Sequence, residues 1–419
     1  MSNTLYRLGT ANMYDNALRN LGARQTNLSN LQENLTSGKR VVRASDDPVS
    51  AAQAERALTR ITRIQTEQRA LETQRNAIAQ AESSLGDAIG LVQSARELMV
   101  SAGSPALTSS DRATIANQLQ GIREQLQEVA NRKDTNGIPL LGALGSALAP
   151  FLGPQSTSPD YLFNGQPGQS GSTGVSIPNT LDGEFAFMFE PQRDGAYNVQ
   201  VNPATVNNNQ QLTTTGVKPT NLSLVTGDNY SIAFSAVGPG ATVGTSTATY
   251  TITNTTTGVV SAPVVVPDYP TDKPVTISVT GVPGLTFDIT GAPANGDAIT
   301  LQPTASVFST LDSAIRDIRA APNSNAATQA VGQALTNIDI GLDRISNMRS
   351  YSGELLNRAD RITGDQEKRS VQLEGDRSRA EDLDMIKGIS DFQNQQVGYE
   401  AALKSYATVQ KLSLFNFIS

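Results

Sequence analysis

The sequence predicts an α+β protein in which both termini form a long helical bundle or coiled coil and an antiparallel β-domain is inserted between them. Proline supports this fold class, since 17 of the 20 prolines lie between residues 139 and 303 and none precedes Pro48 or follows Pro322. The stretch 195–305 contains neither Glu nor Arg, although both residues are favoured in helices and Glu is depleted in strands. Helical ends around a β-rich centre therefore account for the composition.

The N-terminal arm carries apolar residues at alternating spacings of three and four. Such spacing places the side chains along one stripe of a helix. Gly38 predicts the end of this helix, since glycine readily adopts the left-handed conformation that terminates helices. The stripe consists of Tyr14, Ala17, Leu21, Arg24, Leu28, Leu31 and Leu35.

The C-terminal arm repeats the pattern with a more polar stripe, made of Phe392, Gln396, Tyr399, Leu403, Tyr406, Gln410 and Ser413, with Phe417 four residues later. Polar residues at core-type positions weaken a closed helix pair. An intramolecular coiled coil and packing between subunits are both compatible with these stripes. We predict an assembly or partner interface at Leu21, Leu28, Leu31, Leu35, Phe392, Tyr399, Leu403, Tyr406 and Phe417.

Between the arms, two helical regions show bundle-type patterns. Asp47 and Pro48 predict a helix start, with the carboxylate as N-cap and the proline at the first helical position. This interpretation is preferred to a catalytic or metal-binding pair made by Asp46 and Asp47. Another helix is predicted to open at Thr108, and a long one to follow Pro322, with a bend near 375–384. Heptad positions in the first region are Leu71, Ile78, Leu85, Val92 and Met99.

The central region is predicted to contain loops or a hairpin at 139–183, around the apolar triplet Tyr161-Leu162-Phe163, followed by an antiparallel β-domain with alternating apolar residues. Pro267, Pro270 and Pro274 would confine any strand they enter to a sheet edge. We predict three domains: a terminal helical axial domain (1–44 and 380–419), a helical bundle domain with hairpin and loops (45–184 and 304–379), and a β-rich outer domain (185–303).

The composition excludes several classes of catalytic and metal-binding site. The chain has no Cys and no His, which removes thiol nucleophiles, disulfides, imidazole bases and common metal ligands. No phosphate-binding loop or nucleophile elbow occurs, so we predict no catalytic, cofactor or metal site. The net charge is −7, which disfavours nucleic acid as a partner. No apolar run predicts membrane insertion or a cleaved signal peptide.

Several motifs resemble the flagellin superfamily, and within it the hook-filament junction family of hook-associated proteins. Leu35 to Arg40 followed by Ala44 to Pro48 is similar to the N-terminal flagellin signature, and Ser378 to Asp384 resembles the entry to its C-terminal helix. Tyr161 to Gly165, Ile289 to Pro293 with Gly296-Asp297, and the ending Leu412 to Ile418 resemble the junction family rather than filament flagellin. The long segment 139–159 departs from the pattern.

This resemblance implies a structural, non-enzymatic adaptor of the bacterial flagellum that joins the hook to the flagellin filament. It implies an extracellular location reached through the flagellar type III apparatus, without a cleaved signal peptide. The implied partners are the neighbouring hook-associated junction protein, flagellin, further copies in a ring, and a cytoplasmic export chaperone at the C-terminal helix. From the residues alone, a surface adhesin or glycan-binding β-module on a coiled-coil stalk remains an alternative.

Overall fold

The structure, a computed structural model, describes residues 3–157, 159–202, 212–271 and 273–418. Side chains of the two terminal helices are described from 14 to 37 and from 385 to 408. The helices within these ranges are α1 Asn3–Ser37, α2 Pro48–Ala102, α3 Ser109–Ala130, α4 Gly183–Phe187, α5 Pro191–Asp194, α6 Val307–Ala320, α7 Ser324–Glu381 and α8 Met385–Ile418. The mixed α+β fold class is confirmed.

The strands alternate with turns through the centre of the chain, and a short 3₁₀ helix lies at Leu222–Leu224. They are β1 Phe151–Leu152, β2 Leu162–Phe163, β3 Tyr197–Asn202, β4 Thr213–Thr214, β5 Lys218–Pro219, β6 Tyr230–Pro239, β7 Thr245–Asn254, β8 Val264–Pro270, β9 Val275–Val279, β10 Leu285–Gly291 and β11 Ala298–Pro303.

Contacts divide the chain into two compact units. The first, the terminal unit, contains residues 1–69 and 363–419, and the second, the central unit, contains residues 70–362. Helices α2 and α7 contribute residues to both units. The central unit therefore contains α3 to α6 and all the strands within the described residues.

Side chains at the helix starts provide the caps that the sequence predicts. The Asp47 carboxylate accepts hydrogen bonds from the amides of Val49 and Ser50, each at 3.1 Å, so it caps α2. At α3, the Thr108 hydroxyl accepts from the Asp111 amide, while the Asp111 carboxylate accepts from the Thr108 amide at 3.0 Å. Both arrangements satisfy backbone donors that have no partner within the helix.

The helical core of the central unit uses the predicted heptad of α2. Leu71, Ile78, Leu85, Val92 and Met99 are all at most 1% exposed. They belong to one apolar cluster, to which α3, α6 and α7 also contribute. Burying these side chains removes apolar surface from water, and that transfer is the main favourable term in folding.

The predicted hairpin at 139–183 is the two-stranded pair β1–β2, with Phe151 opposite Phe163. The Tyr161 ring stacks on Phe308 of α6 at a centroid distance of 5.2 Å. Its hydroxyl donates to the Asp312 carboxylate at 2.6 Å. Burial, with the adjacent carboxylate, raises the pKa of Tyr161, so the phenol stays a neutral donor. The hairpin is thereby attached to α6.

The larger sheet has five strands in the order β3-β11-β6-β7-β8, with antiparallel pairs throughout. Strand β8, which contains Pro267 and Pro270, lies at its edge, the sheet position to which proline is largely confined. Pro274 directly precedes β9. In the second sheet, β10 pairs with β4, β5 and β9. The predicted antiparallel β-domain and its proline-bearing edge are confirmed.

The β-domain has its own core and meets α7 through polar groups. Its cluster of buried side chains, which includes Phe234, Ile289 and Leu301, is separate from the helical cluster. The Gln333 amide donates to the Thr214 hydroxyl at 2.8 Å. The Asn337 amide donates to the Tyr197 carbonyl at 3.0 Å. These contacts are hydrogen bonds, and the buried apolar clusters of the β-domain and of the helices contain different residues.

A buried ionic group joins α5 to α7. The Asp194 carboxylate is 2% exposed and lies 3.1 Å from the Arg344 guanidinium. That guanidinium also lies 3.6 Å from the centroid of the Phe185 ring. Burial lowers the pKa of Arg344 despite the nearby carboxylate. The Asp194 carboxylate also lies 3.0 Å from the Arg193 guanidinium. The group therefore consists of one carboxylate, two guanidiniums and a cation–π contact, and removing Asp194 would leave the Arg344 charge without its carboxylate partner.

Candidate assembly interface

Helices α1 and α8 form an antiparallel pair within the terminal unit. The rings of Tyr14 and Tyr406 meet edge to face, with centroids 5.9 Å apart. Near the opposite end, Gly388 lies where a β-carbon would approach the Leu35 side chain to 3.2 Å. Small residues permit this close approach because they present little or no side chain. The two arms that the sequence predicts to be helical therefore contact one another.

The pair leaves its apolar side chains only partly covered. All predicted interface residues of α1 are half-buried, namely Leu21, Leu28, Leu31 and Leu35. On α8, Phe392, Tyr399 and Tyr406 are half-buried as well. Among residues 14–37 and 385–408, only Gly388 is fully buried. A two-helix pair cannot enclose an apolar core, because each helix has only one neighbour.

In two turns of α8, the residue that faces α1 is the one directly before the residue that the predicted stripe contains. Gln395 and Ala402 face α1, whereas Gln396 is exposed and Leu403 is 42% exposed. Leu403 is thus available to a further partner, and its role in assembly remains a prediction. The side chain of Phe417 lies outside the described side chains.

An open groove of about 720 Å³ follows the contact between α1 and α8. The Gln395 side-chain oxygen is buried there without a hydrogen-bond partner among the described residues. An unpaired buried carbonyl costs free energy, so the pair is not a fully satisfied core. The groove is lined by Tyr14, Asn16, Ala17, Asn20, Leu21, Ala23, Arg24, Asn27, Gln395, Ala402, Ser405 and Tyr406.

The link after α1 and the link before α8 are joined by backbone hydrogen bonds. The Arg40 amide donates to the Glu381 carbonyl at 2.7 Å, and the Leu383 amide donates to the Gly38 carbonyl at 2.9 Å. The Arg40 guanidinium donates to the Ala380 carbonyl at 2.8 Å. Gly38 has φ +69°, a conformation that glycine adopts without strain. These hydrogen bonds hold the C-terminal end of α1 beside the N-terminal end of α8.

These link residues are functional candidates that the sequence pattern did not identify as contacts. The Ser-Gly-Lys-Arg stretch and the charged segment 375–384 each predict a break in a helix. Neither pattern shows that Arg40 reaches Ala380, because the two are 340 residues apart. An excess of hydrogen-bonding side chains near both breaks was the only available signal.

The chemistry of this surface is packing and hydrogen bonding. Across the described ranges, no group of three or more acidic side chains is arranged to hold a metal ion. Within the same residues, no helix combines the length and apolarity needed to cross a membrane. What the arms present is a partly apolar, partly polar surface suited to further helices.

Residues 9–144 match the bacterial flagellin N-terminal helical region. The chain is also similar to the structure of flagellar hook-associated protein 3 from Legionella pneumophila, with 24% identity, a TM-score of 0.61, and 77% of this chain and 97% of that chain covered. A structure of FlgL from Xanthomonas campestris has 22% identity and a TM-score of 0.56, covering 77% and 98%. Among curated proteins, no sequence matches.

The fold, with its paired terminal helices and an inserted β-domain, is that of the hook-associated protein 3 structure from Legionella pneumophila. Residues 9–144 match the flagellin N-terminal helical region, and about three quarters of the chain shares its fold with the two FlgL-type structures. The resemblance predicted from the sequence motifs is thereby confirmed. No catalytic family is indicated by these comparisons.

Proposed function

We propose that this chain is a structural adaptor of the bacterial flagellum, placed between the hook and the flagellin filament. The observation that carries the proposal is the pair α1–α8, whose apolar residues are only half-buried within one copy. Isolated helices are marginal in water and gain stability when a neighbour covers an amphipathic face. Further axial subunits would provide that cover.

The fold shared with structures described as FlgL and as hook-associated protein 3 supports this role. In the proposed arrangement, residues 1–44 and 380–419 form the axial domain, 45–184 and 304–379 the helical bundle, and 185–303 the outer β-domain. The predicted interface residues of α1 and α8 contact neighbouring subunits. Leu403 contributes because it is apolar and 42% exposed.

The partners we propose are a neighbouring hook-associated junction protein on the hook side, flagellin on the filament side, and further copies in a ring. A cytoplasmic chaperone is proposed to cover α8 before export through the type III apparatus to the extracellular flagellum. An exposed apolar surface on α8, including Val397 at 67% and Ile386 at 85% exposure, supports the need for such cover.

The test is deletion of the gene followed by complementation. Without the chain, cells should retain hooks but shed flagellin into the medium, and the wild-type gene should restore attached filaments. A copy labelled in the β-domain should appear at the boundary between hook and filament. Label spread over the cell surface, with filaments still attached after deletion, would instead favour the adhesin or glycan-binding alternative and refute the adaptor role.

A further inference from the structure

A second groove in the terminal unit, of about 400 Å³, lies between α2 and α7. Its floor is apolar, because Ala57 and Leu373 are 5% and 8% exposed. Arg56 and Arg60, one helical turn apart on α2, line it, and both residues are exposed. Residues four apart on a helix lie on the same face. The groove therefore combines an apolar floor with two neighbouring guanidinium groups.

These two arginines differ from others nearby in having no carboxylate partner. Arg63, on the next turn, pairs with Glu67 at 2.8 Å. Arg379, across the groove, pairs with Asp376. Among the described residues, no carboxylate lies within 4.0 Å of Arg56 or Arg60. Two positive charges beside an apolar floor fit an acidic helix face.

The charge of the chain is divided unevenly. The terminal unit, residues 1–69 and 363–419, has 17 Lys and Arg against 15 Asp and Glu, a net charge of +2. Subtracting this from the total of −7 leaves −9 for residues 70–362. Oppositely charged surfaces on identical copies favour a head-to-tail contact in which the basic groove of one meets an acidic face of the next.

We propose that the Arg56–Arg60 groove binds the exposed face of α3 in a neighbouring copy, through Glu124 and Glu128. The proposal rests on the proposed function, because it requires copies to assemble. Both glutamates are exposed and four residues apart, which matches the spacing of the arginines. The Glu128 side chain has no partner among the described residues. Glu124 accepts a hydrogen bond from Gln120 and lies 3.9 Å from Arg123.

Charge reversal provides the test. The variant Arg56→Glu/Arg60→Glu should be retained on purified hooks roughly tenfold less than the wild type, because two attractive contacts become repulsive. Adding Glu124→Arg/Glu128→Arg to the same chain should restore retention. Arg63→Glu is the matched control, since Arg63 already pairs within its own helix and lies outside the groove lining.

Normal retention of the arginine variant would overturn the proposal, and so would a failure of the four-residue variant to recover. Cysteine cross-linking keeps the test decisive if that variant folds poorly, because the native chain has no Cys. Gln53→Cys/Gln125→Cys should give chain-to-chain disulfides on hooks, while either single variant should not. Absence of wild-type protein from hooks would refute the proposed function itself, a different outcome.

Discussion

Substituting Leu403 tests whether assembly between copies can be disrupted while the fold of a single copy stays intact. Replacing it by aspartate places a charge on α8 at a position that is 42% exposed in the α1–α8 pair. Fully burying a leucine is worth about 1.5–3 kcal/mol. Roughly two-fifths of that, about 0.6–1.3 kcal/mol, is therefore still available to a neighbouring subunit.

The aspartate would also have to be desolvated in the assembly, which adds a cost of about 1–3 kcal/mol or more. Together the two effects weaken each subunit contact by roughly 2–4 kcal/mol, which is about thirtyfold to several hundredfold in affinity. Within the monomer, substitutions at exposed positions usually change stability by less than about 0.5 kcal/mol. We expect Leu403→Asp to block filament attachment and leave monomer unfolding almost unchanged.

The assay combines the thermal midpoint of the purified monomer with counts of filament-bearing hooks in complemented cells. Ala401→Asp is the matched control, because residue 401 is exposed and lies on the opposite side of the helix. Leu85→Ala calibrates a true core position, since Leu85 is fully buried and its truncation should cost roughly 2–5 kcal/mol. A fall in midpoint comparable to that of Leu85→Ala, or normal filaments with Leu403→Asp, would refute the reasoning.

Three further results are expected. Replacing residues 195–303 by a Gly/Ser linker should leave the helical core folded and filaments attached, because the β-domain has a separate core and polar contacts with α7; loss of filaments despite normal export would contradict this. Hydrogen exchange in the dilute monomer should be faster in residues 1–40 and 385–419 than in the α2 heptad, and equal protection would count against it. The pKa of Asp47 is lowered from 3.8 to about 2, chiefly by a hydrogen bond from Ser50, so its stabilising effect should be present above pH 3.8 and be lost as the pH falls toward 2. Asp47→Asn should remove this dependence in an acid titration of unfolding, and an unchanged titration would show that other carboxylates dominate.

Local sequence was sufficient for the long helices and the β-rich region, whereas the short helices α4 and α5 were not predicted. Asp47-Pro48 and Thr108 start α2 and α3 because their side chains and backbone suit the first turn of a helix. The heptad of α2 is buried as predicted, since helical periodicity places all its members on one face. Composition alone located the β-domain, because strands tolerate the lack of Glu and Arg that long helices rarely show.

The tertiary structure determined which face of each helix or strand packs against another element. A stripe spaced by three and four residues leaves an uncertainty of one position, and α8 in fact directs Ala402 rather than Leu403 toward α1. The local pattern also did not predict that the Arg40 guanidinium donates to the Ala380 carbonyl, or that the Thr214 hydroxyl accepts a hydrogen bond from Gln333. Periodicity defines a face from neighbouring residues in one helix, whereas the partner of that face is set by distant residues that meet only when the chain has folded.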